Sequence, residues 1–217
     1  DDERTVIDSA TVVQYIDQNF DGPTLTPEDP AETKIMQEWI QLQDDFPIRD
    51  LTFGNLTGIF GKLMRHKLHS QVERTEKLMR ENPDLQHEYR VKLEDAKAGA
   101  SAVEDPANLQ KANAYAQQLV DRLEDQLKDR PFITGGQYTL ADLTWTTLIE
   151  RWSFSGLTDM WADRPLTSGY YTRLRQRPSF QPAIAAFVNK KVMLRMAMSS
   201  IGISIARKLH MKYFLAS

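Results

Sequence analysis

The chain has 217 residues and a net charge of −3, and 41% of its residues are hydrophobic and 26% charged. This composition is typical of a globular protein that can bury a sizeable core. No cysteine occurs, which excludes a disulfide scaffold, a thiolate metal site and a cysteine nucleophile within these residues. The first residues are Asp1, Asp2 and Glu3 rather than methionine, so we expect a processed or truncated N-terminus.

Charge is unevenly distributed along the chain. Residues 188–217, here called the tail, contain no acidic residue and six basic ones, which are Lys190, Lys191, Arg195, Arg207, Lys208 and Lys212. The rest of the chain holds 21 basic and 30 acidic residues. We therefore expect the tail to contact an anionic surface or the acidic body. Nucleic acid is a poor candidate partner, because the body would repel phosphate.

The first element in chain order is a short β-prone run, Thr5-Val6-Ile7, which is followed by a helical pattern of apolar residues up to Phe20. No partner strand is predicted, and a single strand cannot satisfy its own backbone hydrogen bonds. We expect a preceding segment or another chain to supply the partner. Residues 21–30 contain three prolines and one glycine and are the best linker candidate.

The remainder of the chain is predicted to be helical. Apolar spacing indicates helices over residues 31–44 and 84–98, and one long helix over 51–80 that contains three glycines. Asp105 and Pro106 begin the clearest periodicity, which continues to Leu127. A last body helix is expected over residues 168–175, and Pro178 and Pro182 bracket a turn before the tail.

Thr139 and Asp142 form a capping-box pattern before a mostly apolar helix that starts at Leu140. A hydroxyl at the N-cap and a carboxylate three residues later can satisfy two helix-start amides reciprocally. Tyr138 and Leu143 have the spacing of a hydrophobic staple around this cap. The pattern predicts a buried helix with a well-defined start.

The run from Pro131 to Trp145 resembles the segment that opens the central helix of the glutathione transferase C-terminal domain. Residues 5–16 resemble the last strand and helix of the thioredoxin-like domain of this superfamily. Residues 80–89 resemble the helical hairpin of the ganglioside-induced differentiation-associated proteins, and a similar hairpin occurs in tetrachlorohydroquinone reductive dehalogenases. Residues 129–180 look closest to the dehalogenase type, and the choice between the two branches stays open.

The resemblance implies an all-α fold, the glutathione transferase C-terminal helical domain preceded by a short βα remnant of a thioredoxin-like domain. The implied boundaries are 1–22 for the remnant, 23–187 for the helical domain and 188–217 for the tail helix. The family's catalytic Ser, Tyr or Cys and its cis-proline belong to the first half of the thioredoxin-like domain. Because that half is not among these residues, the resemblance implies no catalytic residue in this sequence.

The resemblance also implies ligand contacts. The family uses an acidic residue and a serine, here Asp8 and Ser9, for the γ-glutamyl end of glutathione. Glutathione is thus implied as the cofactor of a complete protein, with none expected for these residues alone. A plain helix N-cap is the alternative role of Ser9. Phe53 and Phe60 fall where the family has its hydrophobic substrate pocket, and core packing is their alternative role.

Two further patterns on the long predicted helix favour simpler explanations. His66, His69 and Glu73 share one face with a spacing that could hold a metal, but the segment is dense in charges and reads as a solvated surface. We therefore predict no metal site. The glycines at 54, 58 and 61 fail the spacing of a phosphate-binding loop and are better explained by close helix packing.

Within the tail, residues 192–206 carry a single charge, on Arg195. Fifteen residues are fewer than the roughly 20 that a membrane-spanning helix needs. Basic residues on both sides favour an interfacial helix or a docking helix for a protein partner. The alternative is a terminal helix folded over a substrate pocket.

Two function hypotheses follow. In the first, the chain is a transferase-like interaction or accessory module, at a membrane or in a larger assembly, with doubtful catalysis of its own. In the second, it is part of a glutathione-dependent transferase or reductive dehalogenase whose catalytic half lies outside this sequence. We expect an intracellular protein, membrane-peripheral or mitochondrial under the first hypothesis and otherwise cytoplasmic. A homodimer is compatible with both hypotheses.

Overall fold

The structure is a computed structural model, and it describes residues 9–186. These residues form α-helices without any strand, so the all-α prediction is confirmed for them. The helices are α1 (Ser9–Asn19), α2 (Pro30–Asp44), α3 (Ile48–Asn55), α4 (Gly58–Glu81), α5 (Gln86–Glu104), α6 (Pro106–Gln126), α7 (Leu140–Phe154) and α8 (Pro165–Arg175). Short 3-10 turns occupy Pro83–Leu85 and Thr158–Trp161, and a π-turn occupies Gln181–Ala185. The predicted strand at 5–7 and the tail lie outside the described residues.

The prediction of one long helix over residues 51–80 is wrong. The structure contains two helices there, α3 and α4, separated by a break at Leu56 and Thr57. Gly58 has φ +65°, a conformation that side chains other than glycine's rarely adopt. Gly61 lies so close to this turn that an added Cβ would be 2.0 Å from the Leu56 carbonyl oxygen. Gly58 and Gly61 therefore permit a tight turn, whereas Gly54, whose added Cβ would meet Leu109 Cδ1 of α6 at 2.7 Å, fits the predicted close helix packing.

The described residues divide into two compact units. The first, here called the α7 unit, comprises residues 9–48 and 113–181. The second, here called the hairpin unit, comprises residues 49–112 and 182–186. The domain boundaries proposed from the sequence at 22 and 187 stay predictions.

Helix α7 is the centre of the α7 unit and is buried on almost every side. The Trp145 ring packs edge-on against Trp39 of α2, with centroids 4.7 Å apart, and its Nε1–H donates to the Trp39 carbonyl oxygen at 2.7 Å. Phe46 packs against Trp152 with centroids 5.2 Å apart. Large aromatic rings contribute strongly to core stability when their polar atoms find partners. Trp39 and Trp145 thus anchor α2 to α7, whereas the Nε1 of Trp152 is buried without a hydrogen-bond partner in the described structure.

The hairpin unit is built on α4 and α5, which pack against each other. Lys97 pairs with Glu76 at 2.8 Å between the two helices. The guanidinium of Arg49, at the start of α3, bonds the Asp95 carboxylate at 3.1 Å and covers Gly99, where an added Cβ would meet Arg49 Nη1 at 1.9 Å. This close approach fixes α3 against α5. Among residues 9–186, no helix has both the length and the apolar character needed to cross a membrane.

Candidate functional site

The α3–α4 turn is held by one arginine. The Nη1 group of Arg65, on α4, donates to the carbonyl oxygens of Phe53 at 2.9 Å and of Leu56 at 3.0 Å. Carbonyls in the last turn of a helix have no partner within the helix. Arg65 satisfies one such carbonyl, that of Phe53, together with the carbonyl of Leu56 in the turn that follows, and so fixes the backbone that carries Phe53. Sequence reasoning missed this residue, although the glycines at 58 and 61 marked the turn.

The turn carries apolar side chains that are open to solvent. Phe53 is half-buried on α3, and Ile59, at the start of α4, is 85% exposed. Phe60 lies on α4, but its side chain is outside the described part of the structure. The turn can therefore offer apolar contact to a ligand. The substrate-contact roles of Phe53 and Phe60 stay predictions, and Ile59 is a candidate that the sequence analysis did not name.

Ser9 is the first described residue, and it is exposed at the beginning of α1. Asp8, its predicted companion, lies outside the described residues. Helix α1 is tied to the linker because the carboxylate of Asp17 accepts hydrogen bonds from the backbone nitrogens of Leu25 at 2.7 Å and Thr26 at 3.1 Å. This contact holds the C-terminal half of α1, whereas Ser9 lies at the start of the helix. Its glutathione-binding role stays a prediction.

Thr139 and Asp142 form a capping box at the start of α7. The Asp142 carboxylate accepts from the Thr139 backbone nitrogen at 2.8 Å and hydroxyl at 3.0 Å, from the Ile133 backbone nitrogen at 3.0 Å and from the Tyr170 hydroxyl at 2.8 Å. Asp142 is fully buried, and this burial raises the pKa of its carboxyl, while the four donors partly oppose the rise. The carboxylate joins three segments of the α7 unit and has a structural role.

The two tyrosines of α8 are not poised for acid–base work at neutral pH. Burial, followed by the neighbouring Asp142 carboxylate, raises the pKa of Tyr170 well above its usual value. Burial, and then its hydrogen bond to Glu150 at 2.5 Å, raises the pKa of Tyr171 to about 12. A group that activates a thiol or a substrate at neutral pH needs a pKa near that pH. Neither hydroxyl meets this condition.

The three residues with metal-like spacing are all exposed on α4. The Nε2 atom of His69 lies 2.7 Å from Glu104 Oε1 on α5, so this imidazole has a protein partner. Across residues 9–186, no group of three or more His, Asp or Glu side chains has a geometry that could hold a metal ion. His66, His69 and Glu73 are therefore described as surface residues of the hairpin unit.

Comparison with known proteins agrees with this architecture. A family model described as "Glutathione S-transferase, C-terminal domain" matches residues 106–176, the stretch that contains α6, α7, α8 and the capping box. Residues 106–176 are thus a C-terminal domain of the glutathione transferase superfamily. The resemblance stated from the sequence is thus confirmed for the superfamily.

Several curated proteins are similar to this glutathione transferase-like chain over most of its length. The tetrachloro-p-hydroquinone reductive dehalogenase of Sphingobium chlorophenolicum is 28% identical over 75% of this chain and 64% of its own length. A 2,5-dichlorohydroquinone reductive dechlorinase of Sphingobium indicum is 29% identical over 83% of the chain and 56% of its own length. The glutathione S-transferase TCHQD of Arabidopsis thaliana is 27% identical over 85% of the chain and 68% of its own length. The chain therefore spans less than two thirds of the first two relatives.

Proposed function

We propose that this chain is the helical part of a glutathione-dependent transferase or reductive dehalogenase that acts on chlorinated hydroquinones. The observation that carries the proposal is the similarity to two hydroquinone dehalogenating proteins across 75% and 83% of the chain. This supports the second sequence-based hypothesis better than a purely accessory role. Since the chain spans only part of those relatives, the proposal concerns the complete protein.

The described residues would contribute binding rather than chemistry. Phe53 and Ile59 would give apolar contact to a ring, on a turn that Arg65 keeps rigid. Ser9 would offer its hydroxyl and nearby backbone amides to the carboxylate of the γ-glutamyl group, with Asp8 as the partner for the amine. Glutathione, when bound, supplies the thiol sulfur that attacks the electrophile. The group that activates this thiol is neither Tyr170 nor Tyr171, because both pKa values are raised.

The test uses the native protein, purified from the cells that naturally produce it. Its intact mass, compared with the 24.9 kDa of these residues, shows whether more chain is present. Glutathione-dependent chloride release from tetrachlorohydroquinone is then measured. We expect the native protein to release chloride from tetrachlorohydroquinone in a glutathione-dependent reaction. In a Ser9→Ala variant, KM for glutathione should rise about tenfold with little change in kcat. A Ser179→Ala variant, also at an exposed serine, is the control. Absence of glutathione-dependent turnover in the native protein would refute the proposal.

A second proposal concerns attachment. We propose that the tail binds an anionic membrane surface or, failing that, an acidic protein partner, supported by its six basic residues and the absence of acidic ones. The location we propose with it is intracellular and membrane-peripheral, in the cytoplasm or on an organelle such as the mitochondrion. Cosedimentation with anionic vesicles at low and high salt tests it: we expect binding that salt weakens. A homodimer stays a proposal, for which the measured solution mass is the test.

A further inference from the structure

The guanidinium of Arg65 brings a positive charge to the α3–α4 turn that no carboxylate of the described residues neutralises. Among residues 9–186, the ion pairs of the hairpin unit do not include Arg65. Burial raises the pKa of Asp50, the acidic residue of α3, and the positive charge that opposes this rise is that of Arg49. The groups that Arg65 bonds are two backbone carbonyls, which carry no formal charge. The turn therefore holds a fixed cation.

The Arg65 guanidinium also has hydrogen bonds left to donate. Both carbonyl bonds use Nη1, which has two N–H groups and is therefore fully used. In the described structure, Nη2 and Nε form no hydrogen bond, and neither belongs to the buried atoms that lack a partner. The side chain as a whole is half-buried. The unused N–H groups of the planar fork are therefore open to solvent and to a ligand.

Apolar side chains flank this charge along the chain. Phe53 is half-buried at the end of α3, and Ile59 is 85% exposed at the start of α4. Because Arg65 bonds the carbonyl of Phe53 itself, the guanidinium lies against the backbone that bears this ring. Gly61 leaves room for this approach, since its added Cβ would lie 3.3 Å from Arg65 Nη1. A cation with free donors beside apolar surface is suited to bind an aromatic anion.

A chlorinated hydroquinone can supply such an anion. An ordinary phenol such as the tyrosine side chain has a pKa of about 10. Chlorine atoms withdraw electrons from the ring and stabilise the phenolate, so a polychlorinated hydroquinone loses its first proton at a much lower pH. The product is an apolar ring with one negatively charged oxygen. Hydrogen bonds from a guanidinium to an anionic oxygen are about twice as strong as those between neutral groups.

We propose that Arg65 binds the phenolate oxygen of a chlorinated hydroquinone and makes the α3–α4 turn selective for the ionised ring. This inference rests on the proposed dehalogenase function and deepens it, because it names the form of the substrate and the residue that recognises it. Phe53 and Ile59 contribute apolar contact, and the guanidinium contributes charge. Arg65 thus has a role beyond that of holding the turn.

The test is equilibrium dialysis of the complete native protein with two rings of similar shape, and it does not depend on turnover. One ring is 2,4,6-trichlorophenol, used about two pH units above its own pKa, and the other is its methyl ether, 2,4,6-trichloroanisole, which cannot ionise. We expect the native protein to bind the phenolate at least about tenfold more tightly than the ether. In Arg65→Gln this ratio of affinities should fall to about one, while the affinity for the ether stays within about fivefold of the native value.

Two variants accompany Arg65→Gln. Lys62→Gln is the matched control, because Lys62 is an exposed cation of the same helix, three residues before Arg65, and its ratio should stay within about twofold of the native one. Arg65→Lys keeps the charge but loses the planar fork, and we expect its ratio to fall to about three. Circular dichroism shows whether each variant is folded. If Arg65→Gln unfolds, Arg65→Lys carries the comparison, and an undiminished ratio in that variant would overturn the proposal.

Other binding results would also refute the phenolate site. Equal losses of phenolate and ether affinity in Arg65→Gln would show that Arg65 only holds the turn. A lost preference in Lys62→Gln would show a general positive potential instead of a specific contact. Weaker glutathione binding in Arg65→Gln, with the ratio unchanged, would assign the guanidinium to a carboxylate of glutathione. A native protein that binds both rings alike, or neither, would refute the site directly.

Chloride release separates this inference from the proposed function. Glutathione-dependent turnover without any preference for the phenolate would leave the proposed function standing and refute the Arg65 site. A preference that depends on Arg65 but is not accompanied by turnover would support a phenolate-binding site and refute the dehalogenase function.

Discussion

The carboxylate of Glu124, on α6, lies 2.7 Å from the backbone nitrogen of Thr167, in the first turn of α8. It also accepts from the Thr167 hydroxyl at 2.8 Å and from the Leu166 backbone nitrogen at 3.0 Å. The N-cap residue of α8 is Arg164, which provides no side-chain cap of its own. Glu124 therefore caps a helix to which it does not belong, and its negative charge also suits the positive end of the helix dipole.

Removing this cap should destabilise the α7 unit. We expect Glu124→Ala to lower the free energy of unfolding by about 1–2 kcal/mol, because two backbone amides of α8 lose their acceptor. The neighbouring Asp125→Ala is the control, since Asp125 is exposed and pairs with Lys128 at the surface, and it should cost less than about 0.5 kcal/mol. Urea unfolding followed by circular dichroism measures both. Equal losses in the two variants would contradict the capping role.

The α3–α4 turn should not accept a side chain at Gly61. We expect Gly61→Ala to cost about 2–4 kcal/mol, because its Cβ would be 2.0 Å from the Leu56 carbonyl oxygen and the turn would have to open. Gly136→Ala is the matched control, since nothing lies within 4 Å of its added Cβ. That variant should change stability by less than about 0.5 kcal/mol. A Gly61→Ala protein as stable as the native one would show that the turn is loose.

The buried Asp142 should make stability depend on pH. Burial raises its pKa above the usual 3.8, so between 3.8 and the folded-state pKa the folded protein binds more protons than the unfolded chain. The stability contributed by this group is complete below pH 3.8 and is lost as pH rises through the folded-state pKa. The difference in unfolding free energy between the native protein and Asp142→Asn should therefore shrink as pH rises.

Chemical denaturation of both proteins at a series of pH values from 3.5 upwards measures this difference. Near neutral pH we expect Asp142→Asn to be less stable than the native protein by about 1–3 kcal/mol. The side-chain nitrogen of the introduced Asn would face hydrogen-bond donors that in the native protein bond the Asp142 carboxylate. The comparison of two variants cancels the titration of every other group. A difference that widens as pH rises would mean that the four hydrogen bonds outweigh burial and lower the pKa.

Arg65 should affect ring binding in a complete, active protein. We expect Arg65→Met to raise KM for a chlorinated hydroquinone severalfold and to leave KM for glutathione unchanged, because the turn carrying Phe53 and Ile59 loses its two carbonyl contacts. Arg74→Met, at an exposed arginine of the same helix, is the control. Steady-state kinetics with each substrate varied in turn provide the measurement. A shift in both KM values alike would indicate general loss of structure.

Elements with strong local patterns could be predicted from the sequence. The helices α2, α6 and α7 and the capping box of Thr139 and Asp142 follow from apolar periodicity and from residue types at fixed spacing. The superfamily could also be recognised from the same run of residues. The break between α3 and α4 could not be predicted from the sequence. Apolar spacing continued through it, and three glycines are compatible with either a turn or close helix packing.

Partners that are distant in sequence could not be predicted either. Nothing local links Glu124 to Thr167, or Arg65 to the carbonyl of Phe53, since these contacts depend on where one helix lies against another. The glutathione-binding prediction for Asp8 and Ser9 and the surface-binding prediction for the tail depend largely on residues outside the described structure, and they stay predictions.

The sequence by itself determined the helical class and the start of α7, because both depend on the spacing of nearby residues, and its resemblance to known proteins indicated the superfamily. Only the tertiary structure decided which carboxylate caps α8 and which arginine fixes the α3–α4 turn. Those properties arise when packing removes side chains from water and brings distant donors and acceptors to within about 3 Å of each other, a distance that residue spacing along the chain does not encode.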